Sequence, residues 1–345
     1  MWHLEKPSQK TLDEYINMML PALKSRINNN SKLTQAVKDI LLPAMADGSQ
    51  STNRLKALLI SEPCRLFCLS EGLIKRIIPN YNRSELVDFS IAVKTINKTQ
   101  LQNDLISKYS ILNDLMDAFN YNGALGGNKY RAYKMTAASN HNTCVYCNRQ
   151  YTFNIERNAG KNNNDRIARP ALDHWFPKSL FPLMSLSYYN LIPSCTVCNS
   201  SAKMDDIWTL KTHIHPYLTK SDAPKFKFRY KMGLNSKWEI GFKELEGREE
   251  NTVKALCLQE AYQSHSSLEV ADLIEMATKN NGTYMKQLYE TILKLYTSGS
   301  DKTKAYRLLL GTEMMSVAFK NRPMSKLKRD IVQQIEDAQG ISFFE

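Results

Sequence analysis

The chain has 345 residues, and at about 150 residues per domain this length allows two or three domains with cores of their own. Hydrophobic residues make up 43% and charged residues 23% of the chain, a globular composition that excludes wholesale disorder, collagen and coiled coils. The formal net charge of +12 favours a polyanionic partner, although a well-solvated surface would show the same excess.

The sequence predicts neither a signal peptide nor a membrane span. Residues 1–6 lack the charged-then-apolar order of a signal peptide, and no run approaches the roughly 18 apolar residues of a membrane span. We therefore expect a cytoplasmic protein with no membrane partner.

Apolar residues recur every three or four positions through residues 1–120. This spacing predicts a helical N-terminal region whose apolar helix faces pack on a core and carry no catalytic or binding motif.

The middle of the chain, residues 121–245, predicts short strands and loops. Residues 150–156 alternate in a strand-like way, and residues 171–174 predict a second short strand. Residues 226–232 and 238–242 predict a β-hairpin across a turn that contains Gly233. Helical periodicity returns over residues 246–345. We therefore expect an α+β fold, with a small middle domain between N- and C-terminal helical regions.

Seven cysteines are an odd number in a chain without secretory features, which disfavours a disulfide framework. Four of them form two Cys-x-x-Cys pairs, Cys144 with Cys147 and Cys195 with Cys198. Two such pairs supply the four thiolates of a structural zinc site, whereas a redox pair or plain buried cysteines would not need both. The other cysteines lie in apolar helical patterns and predict core positions: Cys64, Cys68 and Cys257.

The two pairs are separated by 47 residues, more than a simple zinc ribbon uses. Asp173 and His174 lie between them and offer a hard oxygen ligand for a divalent cation beside a base that can activate water. Asn199 follows the last cysteine and offers a second oxygen ligand. The alternatives are a hydrogen-bonded Asp-His pair that caps a loop, and asparagines that serve turns.

Residues 144–203 contain, in this order, a Cys-x-x-Cys pair, Leu-Asp-His-Trp-Phe-Pro-Lys-Ser, Tyr-Asn-Leu-Ile-Pro-Ser-Cys and Cys-Asn-Ser-Ser-Ala-Lys. This order of motifs resembles the HNH endonucleases that have a ββα-metal core and two zinc knuckles. The resemblance implies that His174 is the general base and that Asn190 braces the loop holding it. It also implies that Asp173 and Asn199 bind a catalytic Mg²⁺. Many members have His where this chain has Asn199, which leaves the divalent metal open, Mn²⁺ included.

The wider layout is similar to the HNH nuclease subunits of Septu-type and retron antiphage systems, which work with an ATPase. This similarity rests on the flanking helices and on the basic phrase at residues 322–329. It implies a nuclease effector of bacterial antiphage defence that has an ATPase subunit or a second copy of itself as its partner.

Charge placement favours a nucleic-acid partner. Residues 121–203 hold ten Lys or Arg against three Asp or Glu, a net charge of +7. A basic rim with few base-reading elements predicts contact through phosphates and low sequence specificity on DNA. The candidate contact residues are Lys178, Lys203, Lys225, Lys227 and Arg229.

Three alternatives stay open. The cations Lys225, Lys227, Arg229 and Lys231 equally suit the blunting of an exposed sheet edge. His213 and His215 share one face of an extended segment, where they would either reach a metal or serve the structure. The main alternative function is a non-catalytic, zinc-clipped nucleic-acid-binding or adaptor module.

Overall fold

The computed structural model describes residues 1–157, 165–203, 207–220, 224–234, 237–279, 283–296 and 302–344. The helices before the strands are α1 Gln9–Asn29, α2 Gln35–Leu41, α3 Asn53–Ile60, α4 Pro63–Ile77, α5 Glu85–Lys94, α6 Gln100–Lys108, α7 Ile111–Ala118 and α8 Lys129–Ala138. The strands are β1 Ile155–Glu156, β2 Arg166–Ala168, β3 Ala171–His174, β4 Leu191–Ser194, β5 Lys227–Met232 and β6 Trp238–Lys243. The helices after them are α9 Gly247–Ala255, α10 Leu258–Gln263, α11 Ala271–Thr278, α12 Thr283–Tyr296, α13 Lys302–Leu310 and α14 Ser325–Gln339.

The expected mixture of helices and small antiparallel hairpins is confirmed. Within the described residues the strands pair as β1–β2, β3–β4 and β5–β6, each pair antiparallel. The predicted strand at 171–174 and the predicted hairpin at 226–242 are both present. The predicted strand at 150–156 is paired only at β1, with one isolated bridge between Thr143 and Tyr151. In the part of the chain that the structure describes, no helix is long and apolar enough to cross a membrane.

The N-terminal helices pack on the connection between β3 and β4. Helix α1 buries one face at three- and four-residue spacing, and Ser8 caps its first turn by accepting the amide N–H of Thr11. The hydroxyl of Tyr15, on that buried face, donates to the Leu186 carbonyl at 2.9 Å. The Ser185 hydroxyl donates to the Phe119 carbonyl at 2.7 Å, directly after α7. The helices thereby fix the path of the β3–β4 connection.

The C-terminal helices pack on the first cysteine pair. The Tyr262 hydroxyl, on α10, donates to the Cys147 carbonyl. The amide of Met324 donates to the Asn148 carbonyl at 2.7 Å, and the Asn148 side chain donates to the Phe319 carbonyl at 2.8 Å. Buried apolar residues from all parts of the chain form one cluster, so the boundaries 1–120, 121–245 and 246–345 stay a prediction.

Helix α14 covers the free edge of β5. Asp330 accepts the amide N–H of Phe228 at 3.0 Å, and Gln334 accepts that of Tyr230 at 2.9 Å. Asp330 also forms an ion pair at 2.8 Å with Lys326, and both side chains are 2% exposed. The edge amides of this hairpin therefore have partners inside the protein.

The prediction of core positions for the three unpaired cysteines is wrong, since Cys64, Cys68 and Cys257 are all exposed. Helix α4 buries the face that carries Leu66, Leu73 and Ile74, and the two cysteines lie on its other face. Cys257 lies between α9 and α10 with a φ of 47°, so it interrupts the helical pattern instead of continuing it.

Candidate metal centre and catalytic site

The two Cys-x-x-Cys pairs meet in one buried cluster. The four sulfur atoms lie within 4.8 Å of one another, and the cysteines form no disulfide. The sulfurs of Cys147 and Cys195 are 3.9 Å apart. Tetrahedral zinc–sulfur bonds of about 2.3 Å place neighbouring sulfurs about 3.8 Å apart. The cluster can therefore hold a zinc ion, as the spacing predicts.

The backbone around each pair suits thiolate ligands. The amide of Arg149 donates to the sulfur of Cys147 at 3.4 Å, and the amide of Cys198 donates to that of Cys195 at 3.4 Å. Asn148 closes the first turn with a φ of 50°, a left-handed conformation that asparagine tolerates well. Burial raises the pKa of the Cys144 thiol, and a bound cation would favour its ionised form.

Asp173 is buried, and its negative charge is balanced by the ammonium of Lys203. Its Oδ2 accepts the Tyr146 hydroxyl at 2.5 Å and lies 2.9 Å from the Lys203 ammonium. Lys203 also donates to the His174 carbonyl and lies 4.9 Å from the centre of the Trp208 ring. Since Lys203 is 1% exposed, the expectation that it contacts nucleic acid from the surface is wrong.

His174 points away from Asp173, because consecutive side chains of a strand face opposite sides. Its Nε2–H donates to the Ser185 carbonyl at 3.0 Å, and the Tyr121 ring meets its edge at 4.6 Å. This hydrogen bond leaves Nδ1 as the proton acceptor of the ring. Burial, then the charges of Lys178 and Lys203, lower the pKa of His174 to about 3. The imidazole is therefore neutral at physiological pH.

Asn190 braces the loop that follows His174. Its Oδ1 accepts the amide of Phe176 at 2.6 Å. Its Nδ2 donates to the Phe176 carbonyl at 3.1 Å and to the Met184 carbonyl at 3.0 Å. The side chain is fully buried. These contacts match the brace that the sequence resemblance implies, while a catalytic contribution of Asn190 stays a prediction.

The donor chemistry expected for Mg²⁺ is present in part. Carboxylate and amide oxygens are ligands that this ion prefers, and Asp173 and Asn199 supply one of each. Asn199 is half-buried, and its amide N–H donates to the Ser200 hydroxyl at 3.2 Å. Lys203, however, now balances the charge of Asp173. Among the described residues, the four cysteines are the one group of three or more Cys, His, Asp or Glu that could hold a metal.

The remaining predicted contact residues lie on two surfaces. Lys178 is half-buried, with its ammonium 5.7 Å from the centre of the Tyr121 ring. Lys227 and Arg229 are exposed on β5, and Lys225 is exposed just before it. Because α14 satisfies the edge amides of β5, these three cations are not needed to blunt that edge. Their contact with nucleic acid stays a prediction.

His213 and His215 pack in the structure. The His213 ring stacks on Trp208 with 4.9 Å between centroids. His215 is buried, its Nδ1 accepts the amide of Tyr217 at 3.3 Å, and its ring lies 4.5 Å from that of Trp175. Neither belongs to the metal-binding cluster within the described residues.

Three site residues are absent from the sequence-based expectations. Tyr146 lies between Cys144 and Cys147, so its position next to the cysteine cluster could have been predicted from the sequence. Tyr121 contacts His174 from a segment more than fifty residues earlier. Ser185 holds the histidine through its backbone carbonyl, for which side-chain identity carries no signal.

Comparison with protein-family models, with curated proteins and with solved structures found no match for this chain. Function is therefore inferred from the contacts of the site and from the sequence motifs.

Substitution of a zinc ligand should destabilise the protein. We expect about one zinc per wild-type chain and a clear loss of zinc in Cys195→Ser, with a melting temperature lower by about 5 to 10 °C. Elemental analysis and thermal denaturation measure both quantities. Cys64→Ser, at an exposed thiol, is the matched control and should keep zinc and stability. A folded, zinc-free wild-type protein would contradict the zinc assignment.

Acid should destabilise the protein through its buried histidines. Burial lowers the pKa of His141 and of His215 to about 3. Between about pH 6.5 and pH 3 the unfolded chain therefore binds more protons, and the free energy of unfolding falls as the pH falls. Each such histidine costs about 2 kcal/mol at pH 5 relative to pH 7.

Urea denaturation of wild type and His215→Gln at pH 5 and pH 7 tests this. The variant keeps an acceptor for the Tyr217 amide and should lose about 2 kcal/mol less on acidification than wild type. Zinc retention at both pH values excludes metal loss as the cause. An equal loss in both proteins would argue against the role of His215.

Proposed function

We propose that this chain is an HNH-type, metal-dependent endonuclease that hydrolyses DNA phosphodiester bonds with low sequence specificity. The observation that carries the proposal is the setting of His174 at the end of β3. Its Nε2–H is held by the Ser185 carbonyl at 3.0 Å, which aims Nδ1 as a proton acceptor. A general base must be positioned and unprotonated, and it works best with a pKa near the operating pH, so the pKa of about 3 that burial gives His174 would have to rise in the substrate complex.

The surroundings of His174 support this role. The Asn190 brace and the packing of α1 and α7 hold the loop that carries Ser185, so the ring orientation does not depend on substrate. Lys178 lies four residues after the base and offers positive charge to a phosphoryl group. The net charge of +7 over residues 121–203 attracts a polyanion to the same region.

Asp173 and Asn199 would hold the divalent cation, Mg²⁺ or Mn²⁺. When bound, such a cation polarises the scissile phosphate and stabilises the leaving oxygen. In the present arrangement Lys203 supplies the positive charge at Asp173. Cation binding therefore requires the ammonium of Lys203 to leave the carboxylate.

The partner assignment belongs to the same proposal. By the resemblance of its layout, the chain would act in the bacterial cytoplasm as an antiphage effector with an ATPase subunit or a second copy of itself. Exposed apolar side chains on and after α5 give this partner a surface: Val87, Ile91, Val93 and Ile96.

A second candidate is a non-catalytic nucleic-acid-binding or adaptor module. One observation favours it: Asp173 is 4% exposed and forms a complete ion pair with Lys203, which balances the site without a metal.

His174→Ala should separate the two candidates. We expect it to lose on the order of 10²- to 10⁴-fold of Mg²⁺- or Mn²⁺-dependent nicking of plasmid DNA, because the proton acceptor is removed. Zinc content and DNA binding should stay close to wild type, while loss of the hydrogen bond to Ser185 and of the contact with Tyr121 should lower the melting temperature by a few degrees. His213→Ala is the matched control, since that histidine stacks on Trp208 and should not affect cleavage.

Cleavage at the wild-type rate in His174→Ala would reject the assigned base. A wild-type protein that cleaves nothing with either metal, with any required partner supplied, would favour the binding module.

Lys203→Met tests whether Asp173 and Asn199 bind a cation. Breaking a buried ion pair costs about 3 to 5 kcal/mol, because it leaves a buried charge unpaired. If Asp173 is a cation ligand, millimolar Mg²⁺ should recover part of the lost melting temperature, and adding Asn199→Ala should reduce that recovery.

The control is Lys326→Met, which breaks another buried pair, Lys326 with Asp330. Arg329 still pairs with Asp330 at 3.0 Å, so this variant should lose less stability than Lys203→Met, with no recovery in Mg²⁺. Equal responses to Mg²⁺ in the two variants would show that Asp173 is not a specific cation site.

A further inference from the structure

The segment after the first cysteine pair has its apolar side chains outside and its polar side chains inside. Tyr151, Phe153 and Ile155, here called the aromatic strip, are 48%, 44% and 48% exposed. Between them, Thr152 is 7% exposed, and the Asn154 side chain accepts the Thr136 hydroxyl at 2.8 Å. A strand that covers a core normally shows the reverse order.

The aromatic strip is ordered. The rings of Tyr151 and Phe153 stack with centroids 4.6 Å apart and an interplanar angle of 19°. At the far end of the strip, the Tyr133 hydroxyl of α8 donates to the Ala168 carbonyl at 2.5 Å and lies 3.2 Å from the carbonyl of Ile155. The inward hydrogen bonds thus fix the backbone and hold the apolar side chains toward solvent. Exposed apolar side chains that lie side by side in this way can form a binding surface.

Cations surround the strip. Arg149 precedes it and is half-buried, and Arg157 follows it and is exposed. On the adjoining α8, Tyr130 is 44% exposed and has the ammonium of Lys134 at 5.1 Å from its ring centre. The surface thus alternates planar rings with positive charge, in a region whose net charge is +7.

We propose that the aromatic strip binds the unpaired bases of single-stranded nucleic acid while the neighbouring cations contact its phosphates. Every base has an apolar face that stacks on an aromatic ring, and in a duplex these faces are already stacked on one another. Stacking tolerates any sequence, which agrees with the low specificity expected above. A second copy of this chain would bring the same positive charge to the surface and is disfavoured as the occupant.

The strip lies close to the candidate catalytic residues along the chain. Only Arg169 and Pro170 separate β2, the partner of β1, from β3. Six residues lead from Ala168 to His174, a reach of at most about 20 Å even when fully extended. The inference therefore deepens the proposed function, on which it rests, by naming single-stranded or unpaired segments as the substrate class.

The test is fluorescence anisotropy with labelled 20-nucleotide oligodeoxythymidylate, the oligouridylate of equal length and a 20-base-pair duplex, without added divalent metal. The full-length wild-type protein should bind at least one single strand more tightly than the duplex. Tyr151→Ala and Phe153→Ala should each weaken single-strand binding by about 5- to 100-fold while duplex binding changes little. The two oligonucleotides distinguish DNA from RNA as the source of the bases.

Two variants control for fold and for aromatic loss alone. Tyr151→Phe keeps the stacking ring and should bind like wild type. Tyr284→Ala removes a ring of similar exposure, 41%, from α12 and should leave single-strand binding unchanged. Zinc content and melting temperature of Tyr151→Ala and Phe153→Ala should match wild type.

Unchanged single-strand binding in the Tyr151→Ala, Phe153→Ala double variant would overturn the inference. So would a dimeric wild type that becomes monomeric in that variant with its binding intact, because the strip would then be a protein interface. Aromatic-dependent binding by a protein that cleaves nothing would support the inference and reject the nuclease. Cleavage that needs His174 but not the aromatic strip would support the nuclease and reject the inference.

Discussion

The arrangement of the candidate site depends on the four-cysteine cluster. It joins the turn at residues 144–147 to residues 195–198, which follow β4 and are far away in the sequence. Between them lies a hairpin of two four-residue strands, too short to be stable in water by itself. A zinc ion held by the cluster would convert its binding energy into folding energy for this hairpin.

Both helical regions pack on segments next to the cysteine cluster. The C-terminal helices reach the first pair through the carbonyls of Cys147 and Asn148, and the N-terminal helices hold the β3–β4 connection. The catalytic candidates thus lie where a metal clip and two helical layers meet. A helix that contributes no reacting group still sets the orientation of His174, through Ser185 and Asn190.

The sequence predicted the parts of the site that depend on local spacing. Two residues between paired cysteines are enough to bring their sulfurs together, and the short strand at residues 171–174 was predicted from its own segment of the chain. It did not predict the pairing of Asp173 with Lys203, because thirty residues separate them and a lysine near a basic region suggests a surface cation. The exposed cysteines of α4 were misjudged for a similar reason: a short apolar pattern does not tell which helix face meets the core.

The register of β3 gives its two neighbouring polar residues, Asp173 and His174, different environments. Asp173 faces Tyr146 and Lys203 near the metal cluster, while His174 faces the loop held by the N-terminal helices. A slip of one residue would exchange these two environments, placing a carboxylate against the Ser185 carbonyl and an imidazole against a buried ammonium. The pairing of His174 with Leu191 in β4 excludes that slip, and β4 is itself anchored by Cys195 immediately after it. The four-cysteine cluster, which can hold a zinc ion, therefore helps to fix the register that gives Asp173 and His174 their separate environments.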